Sequence, residues 1–431
     1  MTDSPPELNR RSLCKLLAAG ASVVAIAPQA MAGGLAAPTA VDTGHVENGG
    51  VKFPPWRGAA DTPSSPPPSP LPPEQRVSFA IVGLGRLALE QILPAFGKSM
   101  NAKPVALVSG TPDKLKTVAS QYGIKPDACY SYEDFDRIRN NLEVKVVYIV
   151  LPNAMHREFC ERAAAAGKHV LTEKPMSISS KDGQAMVEAC RESGVKLMVA
   201  YRIQYEPYNR RAMKLVRSNH YGRLIAYNGI NTQTVAPDGD RQWRHKKEMA
   251  GGGSLFDIGL YCLNTARFLT GEEPIEVYAN TYSPTGDPRY AEVEETVQFT
   301  LRFPSNTFAN CLTSYGGRDD KYQRLNLEGA TVDMPNAFLY QGQRMSVIER
   351  VSDATRNAEI TLEPKNQFAQ EIDHMAECVL TGQEPWTPGE EGVQDHKLME
   401  AIYESARTGM PVKLAPVEGL DHFRGKPPKE A

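Results

Sequence analysis

A lysine, an aspartate and a tyrosine in this chain have the chemistry needed to move a proton at an alcohol. Lys174 lies in the Glu-Lys-Pro motif at 173–175, and Asp257 and Tyr261 stand four residues apart in a predicted helix, where their side chains share one face. Free tyrosine titrates at about pH 10, and a neighbouring ammonium group would favour its phenolate. Such a group could take the proton of a carbinol while hydride leaves the carbon. Taken singly, the three also fit a surface lysine, a helix-start aspartate and a packed tyrosine.

A glycine turn follows the first apolar run of the main body, 77–82. Its spacing, Gly-x-Gly-x-x-Ala, permits a tight turn, a close approach of the backbone to a pyrophosphate and close helix packing at Ala88. The phosphate would bind to amides at the start of the next helix. The residues expected to contact a dinucleotide here are Gly83, Leu84, Gly85, Arg86 and Leu87.

The end of the second predicted strand indicates which dinucleotide binds. Ser109 and Gly110 stand where an NAD enzyme usually has Asp or Glu, with Lys114 one turn further on and Arg86 in the glycine turn. A carboxylate would repel a 2′-phosphate, whereas a hydroxyl and two cations would accept one, so we expect NADP. The alternative is that Lys114, which has Asp113 next to it, is a solvated surface lysine that does not bind a phosphate.

Alternating strands and helices run from about 76 to 201. The predicted strands are Val77–Val82, Val105–Val108, Val144–Leu151, His169–Thr172 and Lys196–Tyr201. Nearly continuous apolar runs are typical of parallel strands that helices cover on both faces. We therefore expect an α/β fold with an N-terminal Rossmann domain, a doubly wound parallel sheet, over 76–201.

The pattern changes over 202–415, which we take as a second domain. The predicted strands are Leu224–Thr234, Ile275–Ser283, Val293–Phe303, Thr307–Tyr315 and Arg324–Val332, with helices at 252–269, 367–380 and 389–407. Long segments rich in Val, Thr, Tyr and Phe with few helices between them favour a large, mainly antiparallel open sheet. The α/β domain is thus followed by an α+β domain for substrate binding and oligomerisation.

These motifs resemble the superfamily of glucose–fructose oxidoreductases and inositol dehydrogenases, from about residue 77 to 414. The resemblance rests on the glycine turn, Leu-Pro-Asn at 151–153, Glu-Lys-Pro at 173–175, Gln-Trp-Arg at 242–244 and the run 251–261. Tyr261 stands where most of the superfamily has histidine, which points to the glucose–fructose branch.

The resemblance implies a role for each matching residue. Tyr261 would be the acid/base, Lys174 would orient and polarise the reacting hydroxyl, and Asp257 would hold the sugar. The substrate residues that it implies are Lys174, Tyr205, Trp243, Arg244, Asp257 and Tyr261. The further cofactor residues are Asn153, His156, Glu173, Lys174 and Arg202, although Asn153 could instead cap a helix. Tightly held NADP and a homo-oligomer, a dimer or a tetramer, are also implied.

The N-terminus has the features of an export signal. Arg10 and Arg11 precede the apolar stretch 16–27 and the Ala-Met-Ala pattern at 30–32, so 1–32 is predicted to be a twin-arginine signal peptide. That route exports folded proteins, which predicts a periplasmic location.

Two further segments flank the domains. Residues 33–75 are rich in Pro, Ala, Gly and Ser and cannot form a core, so they are either a disordered spacer or an arm across the body or a neighbouring subunit. Residues 416–431 are interpreted as a C-terminal tail.

Composition excludes several classes of partner. The net charge of −3 gives no electrostatic case for nucleic acid, and the stretch at 16–27 is too short to span a bilayer. The eight histidines show no metal-ligand spacing, so no metal is predicted, and the scattered cysteines predict buried free thiols. The expected partners are small-molecule sugars.

An exported enzyme cannot draw on free nicotinamide cofactor, so a second substrate must return the hydride. We therefore predict a ping-pong oxidoreductase that oxidises an aldose such as glucose to its lactone and reduces fructose to sorbitol. The alternatives are an aldose–aldose oxidoreductase, a simple NADP-dependent aldose dehydrogenase, an NAD-dependent glycosidase and a non-catalytic sugar-binding protein.

Overall fold

The computed structural model describes residues 45–47, 50–52, 70–235 and 239–428. The predicted signal peptide at 1–32 lies outside the described residues, as does most of the segment 33–75. The chain divides into two compact units, 1–67 and 68–431. In the first, β1 (His45–Glu47) and β2 (Gly50–Lys52) form an antiparallel hairpin. All the other described helices and strands belong to the second unit.

The first sheet of this unit is parallel throughout. Its strands are β3 (Val77–Val82), β4 (Ala102–Val108), β5 (Cys129–Tyr130), β6 (Val146–Ile149), β7 (His169–Glu173) and β8 (Leu197–Ala200), in the order β5-β4-β3-β6-β7-β8. Strands β3, β6 and β8 are buried at every position, as expected where helices cover both faces. The predicted Rossmann domain is confirmed.

The second sheet has nine strands. They are β9 (Leu224–Thr234), β10 (Glu276–Tyr282), β11 (Thr296–Arg302), β12 (Phe308–Ser314), β13 (Gly316–Leu327), β14 (Ala330–Met334), β15 (Met345–Val351), β16 (Ala354–Ile360) and β17 (Val412–Lys413). Their order is β16-β15-β14-β13-β9-β12-β11-β10-β17, and only β9 and β12 pair in parallel. The predicted large, mainly antiparallel sheet is confirmed.

Nine α-helices lie within the described residues. They are α1 (Leu93–Phe96), α2 (Pro112–Tyr122), α3 (Asn153–Ala165), α4 (Ser180–Glu192), α5 (Pro207–Arg217), α6 (Lys247–Ala250), α7 (Leu260–Thr270), α8 (Gln367–Thr381) and α9 (Gly389–Thr408). Wider π-helical turns, Ala88–Ile92 and Leu255–Gly259, lead directly into α1 and α7. Turns of this type often mark functional sites, and one of these follows the glycine turn while the other contains Asp257.

The prediction of one strand over Arg324–Val332 is wrong. The chain turns back at Glu328 and Gly329, so that β13 pairs with β14 in antiparallel register. The Glu328 carboxylate accepts a hydrogen bond from the backbone of Arg223, and the Gly329 amide bonds to Tyr221. Contacts with a distant segment therefore fix a turn that local apolar spacing did not reveal.

Residues 416–428, interpreted from sequence as a tail, are anchored to the body. The guanidinium of Arg424 is 1% exposed and lies 2.8 Å from the Glu391 carboxylate in α9. Arg217 of α5 pairs with Asp421, and Arg210 donates to the carbonyl of Pro428. This segment packs on the body and contributes Arg424 to a buried ion network; it does not extend into solvent.

The described residues contain neither a membrane-spanning helix nor a cluster of metal ligands. No helix there is long and apolar enough to cross a membrane. Within the same ranges, no group of three or more His, Cys, Asp or Glu is arranged to hold a metal ion. The six cysteines from Cys129 onward are free, and all but Cys129 are buried.

Candidate active site

Two adjoining compartments form a cleft at the carboxyl ends of the parallel strands. The first, of about 520 Å³, is lined by the glycine turn after β3 and by residues that follow or end β4, β6 and β7. The second, of about 440 Å³, is lined by residues of β9 and β13 and by the segment 338–340. The residues that line both are Arg86, Lys174, Arg202, Arg244, Asp257, Tyr261 and Tyr340. Two molecules could therefore lie side by side with this set between them.

The glycine turn is shaped for close approach of a ligand. Gly83 has a φ of +96°, and a β-carbon there would lie 2.3 Å from the carbonyl oxygen of Val150, so only glycine fits. Gly85 lines the first compartment, and no atom would lie within 4 Å of a β-carbon on it. The strand end thus leaves the backbone of the turn open to a pyrophosphate, as the sequence predicts.

The residues at the end of β4 fit a 2′-phosphate. Ser109 and Lys114 line the first compartment, where Lys114 Nζ donates to the carbonyl of Leu84, 3.2 Å away. Among the described residues, the carboxylates that line this compartment are Glu173 and Asp257, and Glu173 ends β7, three strands away from β4. No acid lining the compartment therefore stands at the strand end where a ribose diol would be held, and the nearby cations would favour a phosphate.

The fold brings Lys174, Asp257 and Tyr261 together, although Lys174 directly follows β7, Asp257 lies in the π-helical turn before α7 and Tyr261 lies in the first turn of α7. Lys174 Nζ donates to the backbone carbonyl of Asp257 at 2.6 Å and lies 3.7 Å from its carboxylate. The same ammonium lies 4.5 Å from the centre of the Tyr261 ring. Burial lowers the pKa of Lys174, and Asp257 partly offsets this effect. Lys174 therefore lies against both Asp257 and the ring of Tyr261 at the edge of the cleft.

Asp257 is held as a carboxylate. Burial alone would raise its pKa, but Arg244 and Lys174 outweigh that effect and keep the pKa below its usual value. The Tyr315 hydroxyl donates to one carboxylate oxygen at 2.9 Å, and Arg244 Nε lies 3.6 Å from it. With 21% of its side chain exposed, Asp257 can accept a hydrogen bond from a sugar hydroxyl in the cleft.

The hydrogen-bond partner of the Tyr261 hydroxyl is not the expected lysine. Arg202 Nε, not Lys174, donates to it at 3.1 Å, and the guanidinium lies 4.6 Å from the ring centre. Burial raises the pKa of Tyr261 to about 12, even though Arg202 acts to lower it. Before a ligand binds, Tyr261 is therefore a protonated acid, and the expectation of a phenolate favoured by Lys174 needs this correction.

Arg202 is itself fixed from several sides. It follows β8 and is 4% exposed, and it donates to the carbonyl of Phe338 at 2.7 Å and to the side chain of Gln367. The ring of Tyr340 lies 4.6 Å from its guanidinium. Residues of the second domain thus hold in place the cation that donates to the Tyr261 hydroxyl.

Of the residues implied on the nicotinamide side, the structure places one in the cleft and one behind it. Asn153 lines the first compartment, and its amide donates to the carbonyl of Ala250 at 2.8 Å, so it does not cap α3. His156 is fully buried, with ring nitrogens 3.0 Å from the carbonyl of Pro175 and 2.8 Å from that of Leu151. His156 therefore supports the segment that carries Lys174 rather than contacting a ligand.

Of the residues implied to hold the sugar, Tyr205 is not brought to the cleft. Its hydroxyl bonds to Thr387 at 3.1 Å and its ring packs edge-on against Trp386. Its 3₁₀ turn buries the side chain in the domain core, away from Tyr261. Trp243 lines the first compartment and Arg244 lines both, with the Arg244 guanidinium 4.5 Å from the Trp243 ring centre.

Sequence reasoning missed much of the second compartment. The lining residues not anticipated are Asn231, Gln233, Gln242, Asp319, Lys321, Phe338, Leu339 and Tyr340. Lys321 Nζ donates to the side chain of Asn231 at 2.8 Å and to the Thr232 carbonyl at 2.9 Å, so polar groups of two adjacent strands are locked together. The available signal was the pair of polar residues Asn231 and Gln233 inside the predicted strand Leu224–Thr234. Asp319 and Lys321 belong to the part of β13 that lies between two predicted strands, so no predicted element marked them.

Comparison with known proteins agrees with this architecture. A family model described as "Oxidoreductase family, NAD-binding Rossmann fold" matches residues 77–201, and the GFO/IDH/MocA C-terminal domain matches 209–332. The chain belongs to the GFO/IDH/MocA oxidoreductase family. The superfamily resemblance and the prediction of an oxidoreductase are thereby confirmed.

Relatives within this family include named sugar enzymes. D-xylose 1-dehydrogenase [NADP(+)] of Haloarcula marismortui is 33% identical over 78% of this chain and 93% of its own length. D-xylose 1-dehydrogenase (NADP(+)) 2 of Haloferax volcanii is 30% identical over 78% of this chain and 99% of its own. The crystal structure of aldose–aldose oxidoreductase from Caulobacter crescentus, complexed with glycerol, is 44% identical with a TM-score of 0.75, covering 79% of this chain and all of that one.

Proposed function

We propose that this protein is an NADP-linked sugar oxidoreductase in which two sugars react in turn at one cleft. The observation that carries the proposal is the position of Lys174, Asp257 and Tyr261 on the boundary between a dinucleotide-shaped compartment and a polar one. Two of the named relatives are D-xylose 1-dehydrogenases whose names specify NADP, and the third is an aldose–aldose oxidoreductase. The residues after β4 agree with that cofactor.

The cofactor residues of this chain have separate tasks. The backbone of Gly83–Leu87 would hold the pyrophosphate, while Ser109, Lys114 and Arg86 would hold the 2′-phosphate. Asn153 and Glu173 line the same compartment nearer to Lys174 and would hold the nicotinamide end. The bound nicotinamide supplies hydride exchange with a carbon atom, and the proton chemistry is left to the protein.

Proton transfer at the sugar falls to the groups on the boundary. Lys174 donates to the reacting oxygen and stabilises negative charge on it. Tyr261 exchanges the proton of that oxygen, with Arg202 stabilising the phenolate whenever it forms. Asp257 accepts a neighbouring sugar hydroxyl and fixes the ring. The same set serves oxidation and reduction, because each group can act in both directions.

We propose an aldose as the hydride donor, oxidised at C1 to its lactone. The similarity to an aldose–aldose oxidoreductase favours a second aldose as the acceptor. Reduction of fructose to sorbitol, with glucose as donor, is the form that the tyrosine at position 261 suggests through resemblance. A simple NADP-dependent dehydrogenase, as in the xylose enzymes, is the remaining alternative.

We also propose that the folded, cofactor-loaded protein is exported to the periplasm. The support is the twin arginine at 10–11, the apolar stretch and the Ala-Met-Ala pattern, all outside the described residues. Export with a bound cofactor would explain the need for a second sugar. Fractionation of cells that produce the full chain, with and without Arg10→Lys and Arg11→Lys, tests the location.

A homo-oligomer formed through the second sheet completes the proposal. Large apolar side chains on its strands are exposed, namely Ile225, Tyr278, Tyr282 and Phe308. Light scattering on the purified protein would give the number of subunits.

Reduction of the bound cofactor by one sugar tests the function directly. The purified protein is mixed with xylose or glucose in the absence of added nucleotide, and the absorbance of reduced nicotinamide is followed. A rise that a second aldose reverses supports aldose–aldose transfer, whereas a rise that only fructose reverses identifies the glucose–fructose reaction. If reduction requires added NADP, the protein is a simple dehydrogenase and the two-sugar cycle is wrong.

A further inference from the structure

Two buried carboxyl groups share one tyrosine next to the cleft. The Tyr148 hydroxyl in β6 lies 2.7 Å from Glu173 Oε1 and 3.2 Å from Glu371 Oε1, a residue of α8. Glu173 is 7% exposed and lines the first compartment, whereas Tyr148 and Glu371 have no exposed surface. The mechanism above gives no task to Tyr148 or Glu371.

The number of protons available for hydrogen bonding indicates that the two carboxyl groups differ in protonation state. The Tyr148 hydroxyl has one proton and can donate to only one carboxylate at a time. The other oxygen of Glu371 is buried and has no hydrogen-bond partner. A second carboxylate at this depth would be both unpaired and partly unsatisfied, so Glu371 must carry its own proton. Its acid group can then donate to Tyr148 while Tyr148 donates to Glu173.

The surrounding charges agree with this assignment. Burial raises the pKa of Glu371 well above its usual value, and Glu173 adds to the effect while Arg202 opposes it. The cations that act on Glu173 are Lys174 and Arg202, and Lys174 is already shared with Asp257. Arg202 is then the cation of this pair that is not shared with Asp257, and it faces both Glu173 and Glu371.

We propose that Glu371 stays neutral and that the hydrogen bond from Tyr148 holds Glu173 as a carboxylate at rest, so that Glu173 takes up the proton released when the sugar is oxidised. The proposal rests on the proposed function. An oxidised, cationic nicotinamide in the first compartment would favour the carboxylate form of Glu173, which lines that compartment and accepts from Tyr148. When that charge is lost, the buried carboxylate is destabilised and protonation becomes favourable.

The step balances. Oxidation of a carbinol to a carbonyl transfers one hydride to the cofactor and sets one proton free, and that proton converts the Glu173 carboxylate to the acid. The new proton lies on the oxygen of Glu173 that does not accept from Tyr148, so Tyr148 still donates to Glu173 and Glu371 still donates to Tyr148. Reduction of the second sugar reverses each transfer and consumes the same proton. Tyr261 takes the sugar proton as it gives up its own, so it ends each half-reaction protonated and cannot store the extra proton.

Two variants separate the roles of the residues. Glu371→Gln keeps a neutral group of the same shape, so proton uptake should remain as in the parent protein. Tyr148→Phe removes the hydrogen bond that favours the Glu173 carboxylate at rest, so Glu173 is protonated before the sugar arrives and uptake should fall. Tyr130→Phe is the matched control, because Tyr130 is a buried tyrosine of the same sheet that bonds to Asn141 and not to the carboxyl pair.

The first measurement is the infrared spectrum of the resting, loaded protein. A carbonyl stretch of a protonated carboxylic acid should be present, should disappear in Glu371→Gln and should persist in Tyr148→Phe and Tyr130→Phe. Absence of the band, or its survival in Glu371→Gln, would overturn the assignment of the proton. This result does not depend on the substrate, so it stands apart from the proposed function.

The second measurement counts protons. A sugar is added to the protein in weakly buffered solution with a pH indicator, and proton release is divided by the amount of cofactor reduced. The parent, Glu371→Gln and Tyr130→Phe should release clearly less than one proton per cofactor reduced, and Tyr148→Phe should release about one. Release of about one proton by the parent would refute proton storage. Failure of any sugar to reduce the cofactor would instead refute the proposed function, while the infrared result would still decide the state of Glu371.

Discussion

Two clusters of charge in this molecule use similar residues in opposite ways. The first, called here the buried ion network, consists of Arg267, Glu273, Glu391, Asp395 and Arg424, whose side chains are at most 2% exposed. The second, called here the cleft cluster, consists of Lys174, Arg202, Arg244, Asp257 and Glu173. Both clusters join distant parts of the chain, but of the two only the cleft cluster lines a cavity that a ligand could enter.

The difference lies in what completes each cluster. In the buried ion network Arg267 bonds to Glu273 at 2.7 Å and also to Asp395, so its donors are used inside the protein. In the cleft cluster, Lys174 is 11% and Arg244 42% exposed, and both lie more than 3.5 Å from the Asp257 carboxylate. Incomplete pairing leaves donors and acceptors for a ligand. The first cluster therefore contributes to stability, whereas the second leaves groups available to a ligand, as the proposed function requires.

The largest expected effect is on turnover when Tyr261, the proposed acid/base that contacts Lys174 and Arg202 of the cleft cluster, is replaced. Tyr261→Phe removes the proton donor and acceptor, so kcat should fall by about 10²–10⁴-fold while the cofactor stays bound. Steady-state kinetics and the nucleotide content of the purified variant measure both. Tyr227→Phe is the control, since that buried hydroxyl has no hydrogen-bond partner and its loss should leave turnover unchanged. Normal turnover in Tyr261→Phe would remove Tyr261 from the mechanism.

The buried ion network should respond in stability instead. Arg424→Met leaves the Glu391 carboxylate buried without its cation, and the free energy of unfolding should fall by about 3–5 kcal/mol. Arg407→Met breaks an exposed pair with Glu404 and should cost about 1 kcal/mol at most. Denaturant titration compares the two. Equal losses would mean that residues 416–428 are not anchored through Arg424.

How far the sequence predicts these regions depends on the range of the interactions. The parallel sheet was predictable because its strands are apolar at nearly every position, and its strand ends locate the cleft whatever the rest of the fold does. The strands β15 and β16 were missed because β16 is largely exposed and polar, without an apolar face to detect. Their hairpin depends on pairing with each other.

Within the cleft, residue types were predictable and partners were not. The cluster of Lys174, Asp257 and Tyr261 was found from motifs, but the bond from Arg202 to Tyr261 depends on a short turn after β8 that no local pattern specifies. The same turn buries Tyr205, three residues later, in the core. Tyr340 reaches the cleft from a loop between β14 and β15, which no motif marked.

The pH dependence of the two half-reactions should separate them. The raised pKa of Tyr261, about 12, means that its neutral form prevails at every pH below that value. Oxidation needs the phenolate, whose fraction grows as pH rises toward the pKa, so the rate of cofactor reduction should increase steadily above neutrality. Reduction of the acceptor sugar needs the neutral hydroxyl and should change little over the same range. Stopped-flow rates for each half-reaction check this, and a pH-independent oxidation would point to a different base.

The smallest effect expected is a change in cofactor choice, at the far end of the cleft from the acid/base. Ser109→Asp places a carboxylate at the end of β4, where it would repel a 2′-phosphate and accept from a ribose diol. A charged hydrogen bond contributes about 1.5–3 kcal/mol, so the ratio of NADP to NAD affinity should fall by about 10–100-fold. Lys114→Gln removes one cation without adding an anion and should lower NADP affinity alone. Calorimetric titration of nucleotide-free protein compares the two variants. A Ser109→Asp protein that still prefers NADP would show that Arg86 and Lys114 determine the choice, and that the absence of an acid at this strand end has no role.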